Sequence, residues 1–181
     1  MLKIELFIVL IIYGLLQGQA RLSIHQLEME IYNTQNVSLY DDELIPLFRS
    51  TESNQTLDRT VFGYYPYWMG SAWLDLDYSL LSTIAYFGAE ANSTGGIDDW
   101  HSWPPNNLIT TAHNAGVEVV LTVTLFNSNT ISSLLSNANY RQILITTLVN
   151  SVSSAGADGV NIDFEGLPSS QKENMVQFIT D

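Results

Sequence analysis

The chain has no cysteine, which excludes disulfides, thiolate metal sites and a lipidated cysteine. Basic residues are scarce. Six Lys plus Arg stand against 19 Asp plus Glu, a net charge of -13. A chain this acidic repels phosphate backbones and anionic headgroups, so nucleic acid is not an expected partner. Nor is there an apolar run of the ~20 residues that a membrane-spanning helix needs. The longest, Leu6 to Leu16, follows Lys3 and precedes Gly18-Gln19-Ala20. That layout reads as a secretory signal over residues 1–20, cut after Ala20. The expectation is a secreted protein with no stable membrane insertion once the signal is removed.

What remains is material for a core. Hydrophobic residues make up 46% of the chain and charged residues 14%, a globular balance, and 181 residues suit roughly one domain at ~150 residues each. Residues 21–59 are polar and read as a leader or linker, with a short amphipathic helix over 24–32 and an acidic stretch at Asp41-Asp42-Glu43. From residue 60 to 181 short β-branched and aromatic runs alternate with helix-like stretches, the pattern of βα units on a parallel sheet. Four strands are expected: Val61 to Trp68, Thr83 to Ala89, Val117 to Phe126, and Gly159 to Glu165. Between them, Leu108, Ile109 and Ala112 mark a helix capped at Asn106 or Asn107 and stopped by Gly116. Tyr140, Ile143, Leu144, Thr147, Leu148 and Val152 mark another that ends at Gly156. Ser170-Gln171-Lys172-Glu173 reads as a capping box before a helix bearing Met175, Phe178 and Ile179.

This order fits either a doubly wound sheet or half of a (β/α)8 barrel. The first βα turn, Tyr64 to Gly70, has no glycine-rich phosphate cradle, which counts against a dinucleotide fold. No cofactor is implied. The fourth strand is more telling. Side chains alternate across a strand, so Asn161, Asp163 and Glu165 share one face while Val160, Ile162 and Phe164 share the other. Acidic residues are rarely buried on a core strand without a partner or a task. In a barrel they would look inward, with Glu165 at the C-terminal end where barrel enzymes keep their chemistry. Two carboxyls that close cannot both ionise cheaply, and coupling leaves a protonated acid beside an ionised partner. A hard cation could also use Asp163 and Glu165, but no histidine stands near them in the sequence and the spacing fits no common loop.

Asp158-Gly159-Val160-Asn161-Ile162-Asp163-Phe164-Glu165 resembles the D-G-x-D-x-D-x-E signature of glycoside hydrolase family 18, the chitinases and their relatives. Gly63-Tyr64-Tyr65 followed by Trp68 is similar to that family's first strand, and the resemblance covers residues 60 to 181. It implies a (β/α)8 barrel that cleaves β-linked N-acetylhexosamine glycans, chitin or peptidoglycan. Glu165 would be the general acid and Asp163 would orient the substrate's own acetamido group, whose oxygen is the nucleophile. It also implies that Tyr64 and Thr122 lie beside the acidic stack and that Trp68 helps hold the sugar. Trp73, Trp100 and Trp103, with Tyr65 and Tyr67, are expected to rim the cleft by stacking on sugar rings. His101 and His113 are expected on a surface loop and helix.

The chain departs from the pattern in two ways. Asn161 stands where most members carry the innermost Asp, so it hydrogen-bonds but does not exchange a proton; the same asparagine in relatives similar to spore-cortex hydrolases points toward cell-wall glycans. The chain also ends after four βα units where the barrel needs eight and roughly 250 residues. The expectation is the N-terminal half of a barrel, inactive by itself, with a non-catalytic glycan-binding protein as the alternative. Retention of the acid at Glu165 argues against that alternative.

Overall fold

The computed structural model describes residues 23–35 and 57–181. The expected signal peptide, the acidic stretch at Asp41-Asp42-Glu43 and most of the leader lie outside the described residues. The chain divides into two compact units, Met1–Val37 and Ser38–Asp181. In the first, the helix expected over 24–32 is α1, Ile24–Gln35. Ser23 opens it by accepting the Gln26 N–H on its Oγ at 2.9 Å, which satisfies one of the first-turn donors. Among the described residues no helix is long and apolar enough to cross a membrane.

In the second unit, four strands line up in parallel: β1 (Phe62–Pro66), β2 (Thr83–Ala91), β4 (Glu118–Leu125) and β5 (Gly159–Phe164). Their order in the sheet, β1-β2-β4-β5, follows the chain without reversal. A doubly wound sheet reverses direction at a switch point; consecutive βα units laid side by side are the beginning of a barrel. The short β3 (Ile97–Asp99), absent from the sequence reading, pairs antiparallel with the end of β2. Its turn is built by Asn92, whose Oδ1 accepts N–H groups from Thr94 and Gly96 at 3.0 Å each, with Gly95 in the left-handed region at φ 87.

Four helices follow the strands: α2 (Asn106–Asn114), α3 (Ser128–Ser136), α4 (Ala138–Ala155) and α5 (Lys172–Thr180). Gly116 and Gly156 stop α2 and α4 with left-handed backbones at φ 76 and 65, as expected. Other expectations are corrected. Strand one ends at Pro66, and Tyr67–Met69 is a 3-10 turn, since proline offers no N–H to continue the ladder. Pro105, not an asparagine, precedes α2 and gives no side-chain cap. The capping box does not form, because Ser169–Gln171 is itself a 3-10 turn leading into α5. Helix α3 is new. Asn127 caps it, accepting the Asn129 and Thr130 N–H groups at 3.0 Å each, and Asn137 caps α4 through the Asn139 N–H at 2.9 Å.

The core lies between the sheet and the helices. Val119, Leu121, Val123 and Leu125 of β4 meet Leu108, Ile109 and Ala112 of α2, Ile131, Leu134 and Leu135 of α3, and Leu144 and Leu148 of α4. Each fully buried leucine contributes about 1.5–3 kcal/mol. Val160, Ile162 and Phe164 of β5 turn to the same side, where Phe164 stacks on Phe178 of α5 at 5.8 Å. Thr122, Thr124, Asn161 and Asp163 are left for the opposite, inner face. In β2 the register shifts between Phe87 and Ala89. Ile84 and Tyr86 reach the core before the shift, Ala89 and Ala91 after it, so the following Glu90 turns inward. Only glycine fits at the bulge: a Cβ on Gly88 would lie 2.9 Å from the Thr122 carbonyl oxygen.

Asp158 ties α2 to the start of β5. Its Oδ2 accepts the Val119 N–H at 2.7 Å and lies 2.8 Å from His113 Nε2, so His113 sits on its helix with a hydrogen-bond partner. Burial is the largest single influence on this carboxyl and opposes ionisation, but the bonds from Val119 and His113 together hold its pKa below the usual carboxylate value. A carboxyl lowered by folding stabilises the native state above its unfolded pKa, and that stability is lost as pH falls through the folded value. Asp158→Asn should therefore lower the unfolding midpoint at pH 7 and close the gap to wild type at acidic pH. Urea titrations at pH 7 and pH 3 measure this; a gap that persists unchanged at pH 3 would contradict the assignment.

Candidate active site

Asn161 and Asp163 project from the inner face of β5, and Glu165 is the first residue beyond the strand. The ladder still reaches it: the Glu165 N–H donates to Leu125 O at 3.0 Å. The turn that follows is pinned to α3, since Ser128 Oγ donates to Gly166 O at 2.8 Å and Gly166 adopts φ 76. The residues that begin α3 thus hold the backbone on which Glu165 is mounted. Carboxylate oxygens of Asp163 and Glu165 lie within 4.8 Å of each other, and both side chains are half-buried. Behind them, Asn161 Nδ2 donates to Tyr64 OH at 3.3 Å and to Thr122 Oγ1 at 3.4 Å. Three strands, β1, β4 and β5, therefore converge on Asn161. Thr122 is fully buried and Tyr64 is 43% exposed.

Rings connect this stack to the rim. Tyr64 meets Phe87 edge-on at 6.1 Å, Phe87 meets Trp68 at 5.8 Å, Trp68 meets Tyr67 at 4.8 Å, and Tyr67 stacks face to face on His101 at 3.8 Å. The three edge-on pairs suit the ring quadrupoles. Trp68 is itself 8% exposed, with Phe87 and Tyr67 among the rings packed against it. Two of the aromatics expected at the rim belong to the core instead. Tyr65 is buried, its hydroxyl donating to Gly70 O and accepting the Trp73 N–H. Trp103 lies on the helix side, where its Nε1 donates to Ser151 Oγ of α4 at 2.9 Å.

His101 is not the plain surface residue expected. Its side chain is 12% exposed, and Nε2 lies 2.6 Å from Glu90 Oε1. Neither Glu90 nor the pairing was found from the sequence, because the bulge at Gly88 moves Glu90 to the inner face and no local pattern signals that shift.

The sequentially ordered parallel strands, with Asn161, Asp163 and Glu165 at the C-terminal end of β5, form the first half of a (β/α)8 barrel. More specifically, the fold is that of glycoside hydrolase family 18 barrels. No protein-family model matches the sequence, and no curated protein matches it. Solved structures do. A chitinase from Bacteroides thetaiotaomicron superposes with a TM-score of 0.61 at 16% identity, covering 67% of this chain and 41% of its own. The spore cortex-lytic enzyme SleL of Bacillus cereus covers 67% of this chain and 31% of its own, at TM-score 0.56 and 18% identity. A family 18 chitinase from Cycas revoluta, in complex with (GlcNAc)3, covers 66% and 38% at TM-score 0.55 and 19% identity. The chain thus spans well under half the length of each.

Tyr86 supports the rim from below. Its hydroxyl donates to His101 O at 2.7 Å. Burial, reinforced by Tyr65 and Tyr67, pushes its pKa up from 10.0 to about 12. A group raised by folding stabilises the native state below its unfolded pKa, and that stability is lost as pH rises through the folded value. Tyr86→Phe should therefore lower stability at pH 8 and lose less of it than wild type between pH 10 and 12. Denaturant midpoints across that window measure the difference; parallel losses would show that Tyr86 ionises as freely folded as unfolded.

Proposed function

We propose that the protein carrying this chain is a secreted retaining glycoside hydrolase that cleaves β-linked N-acetylhexosamine glycans, chitin or peptidoglycan. The observation that carries the reading is the inward row of Asn161, Asp163 and Glu165 at the C-terminal end of β5, in a fold shared with family 18 chitinases. The likeness to a chitinase holding (GlcNAc)3 and to a spore cortex-lytic enzyme supports a substrate containing N-acetylglucosamine.

In this mechanism the acetamido oxygen of the sugar attacks its own anomeric carbon while the glycosidic C–O bond breaks. Glu165 donates its proton to the departing oxygen, then takes one from the water that opens the cyclic intermediate. Asp163 accepts the acetamido N–H and turns the carbonyl oxygen toward the anomeric carbon. Asn161 spends its amide hydrogens on Tyr64 and Thr122 and so braces the floor beneath Asp163. Tyr64 faces the sugar from the first strand, and Trp68, buried in the 3-10 turn after it, backs that wall by packing on Phe87. A requirement for the 2-acetamido group follows directly, because without it there is no nucleophile.

A non-catalytic glycan-binding role is the alternative, and the carboxyl at Glu165 speaks against it. Glu165→Gln should lower turnover by about 10²–10⁴-fold, the usual worth of general acid catalysis, while binding of N-acetylglucosamine oligomers is preserved. Initial rates and calorimetry on the same preparation decide the matter. Undiminished hydrolysis would remove Glu165 as the acid, and wild-type binding without any turnover would favour the alternative.

A further inference from the structure

Glu90 stands level with the catalytic row. It pairs with Thr124 of β4, which pairs with Asp163 of β5, so the three share one rung of the inner face. Two strand spacings, roughly 9–10 Å, separate Glu90 from Asp163 at the backbone. Its carboxylate is 34% exposed, and Oε1 is engaged by His101 Nε2 at 2.6 Å. His101 is held on three sides. Tyr67 covers its ring with planes 2° from parallel, its N–H donates to Asp99 Oδ1 at 2.8 Å, and its carbonyl accepts the Tyr86 hydroxyl. Its backbone lies in the left-handed region at φ 43. A fixed imidazole therefore orients a carboxylate at the mouth of the barrel, leaving Oε2 without a hydrogen bond among the described residues. That is how a site for a neutral polyol is built: a carboxylate acceptor held in one position with an oxygen left to take hydroxyl hydrogens.

We propose that Glu90 is a sugar-binding residue that accepts hydrogen bonds from the hydroxyls of a pyranose unit adjacent to the one whose acetamido group meets Asp163, with His101 and Tyr67 as its positioning residues. The proposal rests on the glycan-hydrolase reading and adds the location and chemistry of a second sugar subsite. It makes any gain in affinity with oligomer length depend on Glu90.

The test measures dissociation constants and steady-state kinetics of the protein carrying this chain with N-acetylglucosamine oligomers of increasing length. Glu90→Gln should weaken binding and raise KM about tenfold for oligomers long enough to reach the second subsite, with kcat and the binding of the shortest ligand unchanged. His101→Ala should reproduce the effect through a misplaced carboxylate, and His101→Gln, which keeps a donor toward Glu90, should restore part of the affinity. Affinity equal to wild type at every length in Glu90→Gln, or equal weakening at every length, overturns the subsite while leaving the catalytic reading intact. Failure of the wild-type protein to bind any oligomer overturns both.

Discussion

Strand β5 is held against β4 by a parallel ladder running from Val120 and Gly159 to Leu125 and Phe164, and that register decides which side of the sheet each side chain takes. With the observed pairing, Val160, Ile162 and Phe164 enter the core while Asn161 and Asp163 face inward. A slip of one residue would exchange the two sets. Two acidic or amide groups would then sit beneath the helices against Leu144 and Phe178, and an uncompensated buried charge costs several kcal/mol. The apolar face thus fixes the polar one. The chemistry proposed for Glu165 depends on hydrophobic packing that never touches a substrate.

The same coupling acts across the sheet. Gly88 permits β2 to approach Thr122 at a distance no side chain tolerates, and the resulting shift moves Glu90 inward. Thr122, buried beside that contact, offers its hydroxyl to Asn161. Asn161 also reaches Tyr64, so the second strand's bulge, the buried threonine and the acidic row are consecutive links in one network. Arg141 extends the logic to the helix layer: it is buried, and its Nη1 donates to Leu135 O at the end of α3, the helix whose first residue pins the turn after Glu165.

Much of this was legible in the sequence where the signal is periodic. Alternation in Asn161-Ile162-Asp163-Phe164-Glu165 predicted both faces of β5, and Gly116 and Gly156 predicted two helix stops. The sequence reading failed where local propensity met tertiary geometry. Helix α3 is short and rich in serine, and its cap at Asn127 was the available signal. The turn at Asn92-Ser93-Thr94-Gly95-Gly96 likewise announced a hairpin. Tyr65 and Trp103 look like any other rim aromatic in one dimension; only the phase of the strand and the reach to Ser151 send them to the core. His101 gave no sign of its partner, since Glu90 comes to it through a bulge that no residue count anticipates.

In the proposed mechanism the inward row of Asn161, Asp163 and Glu165 positions a substrate to react through its own acetamido group, which requires the anomeric configuration to be retained. Proton NMR of the first product released from a β-linked N-acetylglucosamine oligomer measures this directly, before mutarotation mixes the anomers. The β-anomer should appear first. An initial burst of the α-anomer would mean that water attacks from the opposite face, and the role assigned to Asp163 and Glu165 would be wrong.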